Sequence, residues 1–378
     1  MSDITILPVR SHKEREIFLT FPWKIYRHDP LWVPPMLPDR RKFINPQHGP
    51  FFAGHSREAE FFLAWRSGKP VGTICVAEDK PMNQVRQRQE CMFGFLDYVE
   101  DYAVFSALMG EAERVAARRG LDTLYGPWNL DYEDAYGVLL EGRDRPPVIL
   151  CGHTPPYYLD FMQRYGFQPA RPDNLAFALD ISQETDAFRD LARLAERVRE
   201  RGRVTIRSAD LKRWDAEIDV VHKLLNTALA HLDDFMPWPR EQVEALFTPF
   251  RTLADLDLIL FAEIDGETIG FFPGLPNFNE WLIHANGLRY PWDYLRVWWH
   301  SRRQPACLAI KSVLVLPEHW GSGAAILLFH EMRTRAAAKG YRWVDLSLTS
   351  DDNPKTPVLA ERLGGKIYKR YRVFRKRI

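Results

Sequence analysis

Apolar positions along the chain recur with a period of two where strands are expected and a period of three to four where helices are expected. The first half predicts a hairpin over 61–66 and 71–77, a strand over 90–98 and a helix over 102–119. The second half predicts a hairpin over 258–264 and 268–272, a strand over 308–316 and a helix over 324–339. The chain therefore follows the same order of elements twice.

Glycine spacing supports this repetition. Gly72 and Gly270 are 198 residues apart, and the same 198 residues separate Gly166 from Gly364. An amphipathic helix is predicted over 184–201, between the two halves. We interpret the pattern as a tandem duplication of one α/β domain. The predicted limits are 1–182 for the first domain, 183–202 for a linking helix and 203–378 for the second domain.

A segment rich in proline and aromatic residues, at about 28–55, interrupts the first domain. Its prolines disfavour helix at the residues before them, so we predict a long irregular arm. Segments of this length inside compact domains are usually functional or disordered. The arm is interpreted either as a cover over a binding site or as a simple packing collar.

Composition limits the function. Apolar residues make up 46% of the 378 residues, enough for ordinary packed cores in two domains. With 51 basic and 50 acidic residues the net charge is +1, which gives no general reason to expect nucleic acid or an anionic membrane as a partner. There is no apolar run long enough for a membrane span, and the four cysteines have no zinc-like spacing. We expect a cytoplasmic protein without a metal.

The strongest local motif lies at 311–339. A predicted strand ends before Pro317, a turn containing Gly321 and Gly323 follows, and a helix begins at Ala324. The first N–H groups of such a helix have no intrahelical partners, and the positive end of the helix dipole lies behind them, so the turn suits a phosphate. Its spacing excludes a Walker A loop, and Ile326 in place of a third glycine excludes a dinucleotide fingerprint.

This motif resembles the acyl-CoA loop of the GCN5-related N-acetyltransferase (GNAT) superfamily. Val315, Pro317, Gly321, Gly323 and Ala325 fit that pattern. Trp320 departs from it, because the family has Gln or Arg there. The D-P-x-W-V-P-P segment of the arm and the later P-P-Y-Y and Y-G-F segments also resemble bacterial two-domain GNAT-like proteins. The resemblance implies a mixed-sheet α/β fold with two GNAT-like acyl-CoA N-acyltransferase domains in tandem.

The resemblance also implies where acetyl-CoA or a longer acyl-CoA binds as co-substrate. The pantetheine amides are expected to pair with a strand edge, and the diphosphate is expected at the glycine turn. The implied CoA-binding residues are Leu314, Val315, Leu316, Trp320, Gly321, Ser322, Gly323, Ala324, Ala325 and Asn353. The first domain has the carboxylates Glu100 and Asp101 where the glycines would lie. One CoA site is therefore expected, in the second domain.

The family's general acid, a tyrosine, is replaced by Ala360. Tyr368 is the candidate substitute for the catalytic residue. Further candidates are Tyr371, Tyr157 and Tyr158, with Glu318 as a base and with Glu280, His284 and the acidic cluster 131–134 near the acceptor. The basic C-terminus is interpreted either as a contact for the CoA 3′-phosphate or as a solvated edge strand.

The function expected from the resemblance is transfer of an acyl group, with acetyl the first expectation, from CoA to an amine. Aromatic residues in the arm and around Trp292 and Trp298 suggest a bulky apolar acyl chain or acceptor as the small-molecule partner. A catalytically silent acyl-CoA-binding or sensing protein is an alternative, favoured by Ala360 and Trp320. A Fem-like aminoacyl transferase is a second alternative, but it would need a basic groove.

Overall fold

A computed structural model describes residues 4–52, 57–131, 136–230, 237–248, 251, 254–311, 313–353 and 356–378. The elements up to residue 169 are β1 Thr5–Pro8, α1 His12–Thr20, α2 Pro22–Ile25, α3 Leu37–Phe43, β2 Arg57–Arg66, β3 Lys69–Asp79, α4 Lys80–Arg86, β4 Glu90–Tyr98, α5 Tyr102–Arg118, β5 Thr123–Gly126, β6 Val138–Glu141, α6 Tyr157–Arg164 and β7 Gln168–Pro169.

The elements after residue 169 follow in the same manner. They are β8 Asn174–Asp180, α7 Asp186–Glu200, β9 Val204–Ser208, α8 Trp214–Ala228, α9 Arg240–Phe247, β10 Ile259–Ile264, β11 Glu267–Pro276, α10 Asn279–Leu282, α11 Pro291–His300, β12 Cys307–Ile310, β13 Leu314–Val315, α12 Ala324–Ala338, β14 Trp343–Ser350, α13 Thr356–Arg362, β15 Lys366–Arg372 and β16 Phe374–Arg377.

The chain forms two compact units. The first contains Met1–Asn174, Asn279–Arg302 and Lys369–Ile378, and the second contains Leu175–Phe278 and Arg303–Tyr368. Each unit has a mixed sheet and its own apolar core, so the predicted α/β class with two such domains is confirmed. The domain limits 1–182, 183–202 and 203–378 describe the sequence repeat and stay a prediction.

The sheet of the first unit has the order β1-β2-β3-β4-β5-β16-β7. In the second unit the order is β15-β8-β14-β12-β11-β10-β9, and β13 also pairs with β11. The final strand of the chain, β16, thus belongs to the first sheet, while β8, at the end of the first sequence repeat, lies in the second. Each repeat contributes a strand to the sheet of the other unit.

The two predicted hairpins are present with tight two-residue turns. β2 pairs with β3 and β10 pairs with β11, both antiparallel. The turn residues Ser67, Gly68, Asp265 and Gly266 all have positive φ, as type I′ turns require. The hairpins were readable from sequence because these turn residues separate two alternating apolar runs.

Two predicted elements differ from the structure. The predicted arm contains a short helix, α3, because Pro38 lies in its first turn, where the missing N–H costs nothing and the fixed φ suits a helix. The predicted strand 308–316 is divided into β12 and β13. Ile310 lies opposite Gly274 and Leu314 lies opposite Phe271, so one strand has an extra residue between these pairs.

In the first unit, the space beside β4 that corresponds to a GNAT acyl-CoA cleft is filled by the chain itself. The Trp128 N–H donates to the Phe93 carbonyl at 2.7 Å, and the Phe95 N–H donates to Asn129 Oδ1 at 2.7 Å. A Cβ added to Gly94 would lie 1.5 Å from the Trp128 carbonyl oxygen. Backbone groups that could pair with pantetheine are therefore already bonded.

The start of α5, the helix that corresponds to the CoA-loop helix, is also occupied. Asp101 accepts a hydrogen bond from the Ala103 N–H at 2.8 Å and pairs with Arg66 at 2.7 Å. The contact with Arg66, followed by the backbone hydrogen bond, holds the pKa of Asp101 below its usual value. A carboxylate of the chain thus takes the position that an anionic ligand would need at this helix end.

The packing at Gly94 gives a first testable prediction. Gly94→Ala is expected to lower the free energy of unfolding by about 3 kcal/mol or more, because the backbone of Trp128 leaves no room for a methyl group. Gly110→Ala, within α5 and with no atom within 4 Å of the new Cβ, is the control and is expected to stabilise by about 1 kcal/mol. Denaturant unfolding measures both. Equal stability of the two variants would contradict the filled cleft.

Candidate active site

The glycine turn of the second unit ends at the start of α12, where no acidic side chain balances the helix dipole. A short 3-10 helix, Pro317–His319, leads into Gly321 and Ser322, and Gly323 adopts a left-handed φ of 88° before α12 begins. Ser322 Oγ accepts the Ala324 N–H at 3.2 Å. The first turn of α12 contains no acidic residue, in contrast to the Asp101 cap of α5. The positive end of this helix dipole is suited to an anion from outside the chain.

The packing of the chain explains one glycine of the turn and not the other. A Cβ on Gly323 would lie 2.6 Å from Val198 Cγ2 of α7, so Gly323 is required both by its φ and by packing. Gly321 is exposed, lacks a positive φ, and has no atom within 4 Å of a Cβ position. Packing within the chain gives no reason for a glycine at 321.

The strands beside this turn separate. β12 pairs in parallel with β14 from Cys307 opposite Trp343 to Ala309 opposite Asp345. Beyond that point, the described residues of this segment pair with β11, where Ile310 lies opposite Gly274 and Val315 lies opposite Gly270. The strand that carries Val315 therefore diverges from β14, which runs on to Ser350.

Trp320, the residue that departs from the family pattern, contacts the strand edge. Its indole Nε1–H donates to the Val315 carbonyl at 2.9 Å, while 53% of the residue stays exposed. The indole thus occupies a backbone acceptor on the strand edge that was predicted to pair with pantetheine. Sequence analysis noted the substitution, but the contact with Val315 depends on how the turn folds back.

A polar cluster lies where the strands begin to separate. Asp345 is fully buried, and its Oδ2 accepts the Tyr368 hydroxyl hydrogen bond at 2.6 Å. Asp345 Oδ1 accepts the Ser347 N–H at 3.1 Å and lies 3.9 Å from Lys311 Nζ. Ser347 has a φ of 67°, and its hydroxyl donates to the Lys311 carbonyl at 3.3 Å. A buried carboxylate with these donors can hold a proton-transfer residue in a fixed position.

Sequence analysis missed Asp345 and Lys311. A signal was present, because Asp345 is the one charged residue in the otherwise apolar or small sequence of β14, and Lys311 directly follows the apolar run of β12. Strand residues with charges between apolar neighbours often mark sites. Their contact with Tyr368, however, joins residues from separate strands.

The remaining predicted residues of the second unit have varied positions. Asn353 Oδ1 accepts the Thr356 N–H at 3.0 Å, close to the start of α13. Ala360, which replaces the family's tyrosine, is buried against Leu175 and Phe177. Glu318 is exposed on the turn.

The other tyrosine candidates belong to the first unit, where each hydroxyl is bonded. Tyr371 donates to the Gly152 carbonyl, Tyr157 to the Tyr98 carbonyl and Tyr158 to Asp97. Burial raises the pKa of Asp97 to about 6. Residues 132–134 of the predicted acidic cluster lie outside the described residues.

The basic C-terminus is largely neutralised within the first unit. Arg372 forms a two-point contact with Asp173 at 2.7 and 2.9 Å, and Lys376 pairs with Glu113 at 2.6 Å. Lys369 is fully buried and donates to the carbonyls of Gly142 and Arg145, and burial lowers its pKa to about 8. These contacts favour the interpretation of a structural strand over that of a phosphate-binding segment.

Comparison with known proteins agrees with this geometry. The family model described as the acetyltransferase (GNAT) family matches residues 224–364, which include the glycine turn and the separating strands. The chain is 30% identical to a protein named bacterial ceramide synthase from Caulobacter vibrioides, over 99% of this chain and 98% of that protein. It is 27% identical to protein YghO of Escherichia coli, over 96% and 92% of the two chains.

Solved structures share the fold of the whole chain. A tandem GNAT protein from the clavulanic acid biosynthesis pathway superposes with a TM-score of 0.57 at 14% identity, covering 99% of this chain and 98% of that one. A conserved protein from Enterococcus faecalis, titled a probable N-acyltransferase, gives a TM-score of 0.50 at 8% identity, over 100% and 73% of the two chains. The full-length relationship, the family model and the shared fold lead to one conclusion: this chain belongs to the acetyltransferase (GNAT) family, with two GNAT-like domains in tandem.

Proposed function

We propose that this protein is an acyl-CoA-dependent N-acyltransferase that moves a long acyl chain from CoA to the primary amine of a long-chain amino alcohol. The relative named bacterial ceramide synthase supports this acceptor class, because a ceramide is the amide of a fatty acid and such an amino alcohol. The proposed co-substrate is a fatty acyl-CoA, bound at the second unit.

The observation that carries the proposal is the contrast between the two units. In the second unit the parallel pairing ends at Ala309 and Asp345, and α12 begins with a glycine turn free of acidic residues. In the first unit the equivalent strand and helix start are bonded to Trp128, Asn129 and the Asp101 carboxylate. The second unit retains what a thioester and diphosphate need, and the first does not.

Tyr368 is the proposed proton-transfer residue. In acyl transfer the amine nitrogen attacks the thioester carbonyl carbon, the C–S bond breaks, the amine loses a proton and the departing thiolate gains one. The Tyr368 hydroxyl donates to Asp345 Oδ2 at 2.6 Å. In the proposed step the phenolic oxygen takes the amine proton as the phenolic proton passes to the Asp345 carboxylate, and a proton returns from Asp345 through Tyr368 to the departing thiolate. Asp345 is the proposed positioning residue, since its buried carboxylate fixes the direction of that hydroxyl.

A silent acyl-CoA-binding protein is the second candidate function. Two observations favour it. Trp320 already bonds to the Val315 carbonyl, and the family's tyrosine position is the buried Ala360. Both candidates require binding of acyl-CoA, and only the transferase requires turnover.

The direct test measures binding and turnover in parallel. We expect CoA esters from acetyl to palmitoyl to raise the melting temperature, with the largest increase for the long chains. We also expect thiol release from palmitoyl-CoA in the presence of sphinganine, with the amide product seen by mass spectrometry. A thermal shift without thiol release over a panel of amines would support the silent binder. The absence of a shift with any CoA ester would refute both candidates.

Substitution of each glycine of the turn by alanine is expected to have a separate effect. Gly321→Ala is expected to leave thermal stability unchanged and to weaken acyl-CoA binding about 10-fold, because the new methyl group meets no protein atom and lies where the diphosphate would approach. Gly323→Ala is expected to lower the free energy of unfolding by about 2 kcal/mol, from its positive φ and its contact with Val198. Calorimetric titration measures acyl-CoA binding by both variants, and unfolding curves measure their stability. Unweakened binding in stable Gly321→Ala would count against the proposed diphosphate position.

Tyr368→Phe separates a catalytic from a structural tyrosine. Loss of the hydroxyl is expected to lower kcat by about 10²-fold or more while acyl-CoA binding is retained. Tyr371→Phe is the matched control on the same strand. Its buried hydroxyl donates to the Gly152 carbonyl at 3.0 Å, so we expect a loss of about 1 kcal/mol in stability with kcat retained. Full turnover in Tyr368→Phe would remove this residue from the mechanism.

A further inference from the structure

The helix α11 presents apolar rings to water. Six large hydrophobic residues between positions 290 and 299 are at least 40% exposed, out of thirteen such residues among those described. They are Tyr290, Trp292, Tyr294, Leu295, Trp298 and Trp299. We call this set the aromatic face. A water-facing helix surface is normally polar, and a concentrated apolar patch marks an interaction site.

The helix that carries the aromatic face is anchored at its N-terminal end. Asp293 is fully buried and accepts the Tyr290 N–H at 2.9 Å, which fixes the start of α11. The segment before the helix is anchored within the first unit, where Trp23 donates its indole N–H to Asn286 at 2.7 Å. A Cβ on Gly287 would lie 2.5 Å from the same Trp23 ring. The exposed rings therefore belong to a helix that is fixed by the buried Asp293 and by the packed segment before it.

The charges around the aromatic face are predominantly positive. Residues 289–302 contain three arginines and one acidic residue, Asp293, which is buried and lies 3.4 Å from Arg296. Arg302 lies 3.7 Å from the centroid of the Trp298 ring, and Arg289 lies 5.6 Å from that of Tyr290. The charged groups exposed here are Arg289, Arg296 and Arg302. A local net charge of +2 thus exists on a chain whose overall charge is only +1.

This combination matches a lipid surface better than a second copy of the chain. Trp and Tyr rings prefer the boundary between headgroups and acyl chains, and arginine attracts anionic headgroups. A two-fold contact through this face would bring the arginines of both copies together, which is unfavourable. Ten residues of helix span about 15 Å, so α11 can lie in an interface but cannot cross a bilayer. Among the described residues, no helix meets the length and hydropathy needed for a membrane span.

We propose that the aromatic face of α11 docks this protein onto anionic lipid bilayers, with the rings inserted at the headgroup level and the arginines on the phosphates. The proposal concerns peripheral binding and does not depend on the acyl-transfer reaction. It would give an enzyme of long-chain substrates direct access to molecules that partition into the bilayer.

The test is co-sedimentation of the full chain with vesicles of phosphatidylcholine alone or mixed with phosphatidylglycerol, without any CoA ester. We expect binding to the mixed vesicles that weakens as salt rises. Trp292→Ser/Trp298→Ser/Trp299→Ser is expected to lower vesicle affinity by about 10-fold or more, because the inserted rings are lost. Arg289→Gln/Arg302→Gln is expected to remove the preference for phosphatidylglycerol.

The control removes three exposed apolar residues elsewhere, Val85→Ser/Leu194→Ser/Leu359→Ser, and should bind vesicles like the wild type. Circular dichroism checks that each variant is folded. Tyr294→Ser/Leu295→Ser serves as a second, milder variant. The proposal is overturned by a wild type that ignores vesicles, by folded aromatic variants that bind undiminished, or by self-association that these variants abolish without any vesicle binding.

Discussion

Strand pairing that exchanges strands between the repeats is the constraint on which this structure depends. The first sheet includes β16 from the end of the chain, and the second includes β8 from the end of the first repeat. Neither sequence repeat supplies all the strands of its own sheet. Each sheet therefore depends on pairing with a strand that the sequence order places in the other repeat. The two domains are therefore expected to fold as one cooperative chain.

The two units share one architecture, but the equivalent clefts differ in whether the chain itself already occupies their hydrogen-bonding groups. In the first unit, backbone groups beside Gly94 are bonded to the chain, and Asp101 neutralises the helix start. In the second unit, the β12–β14 pairing ends at Ala309 and Asp345, and Val315 lies opposite Gly270 of β11 instead. Hydrogen-bonding groups that are satisfied internally cannot bind a ligand without losing those bonds, so the second unit is the proposed catalytic unit.

The proposed proton-transfer residue of the second unit differs in position from the family's usual tyrosine. The buried Ala360 has no proton to give, whereas Tyr368 and Asp345 form a short hydrogen bond where the strands begin to separate. Trp320 adds an aromatic ring at the strand edge.

The sequence by itself determined the local elements: both hairpins, the glycine turn, the helix from Ala324 and the duplication of the whole order. These follow from interactions within a few residues, such as turn conformations at Asp265-Gly266 and the left-handed φ of Gly323. Only the tertiary structure decided the strand exchange, the filling of the first cleft by Trp128, the pairing of Asp345 with Tyr368 and the exposure of the tryptophans in α11. Net charge averages over the chain and therefore hid the basic aromatic face. Each of these features depends on which distant residues meet in space, and neither periodicity nor composition contains that information.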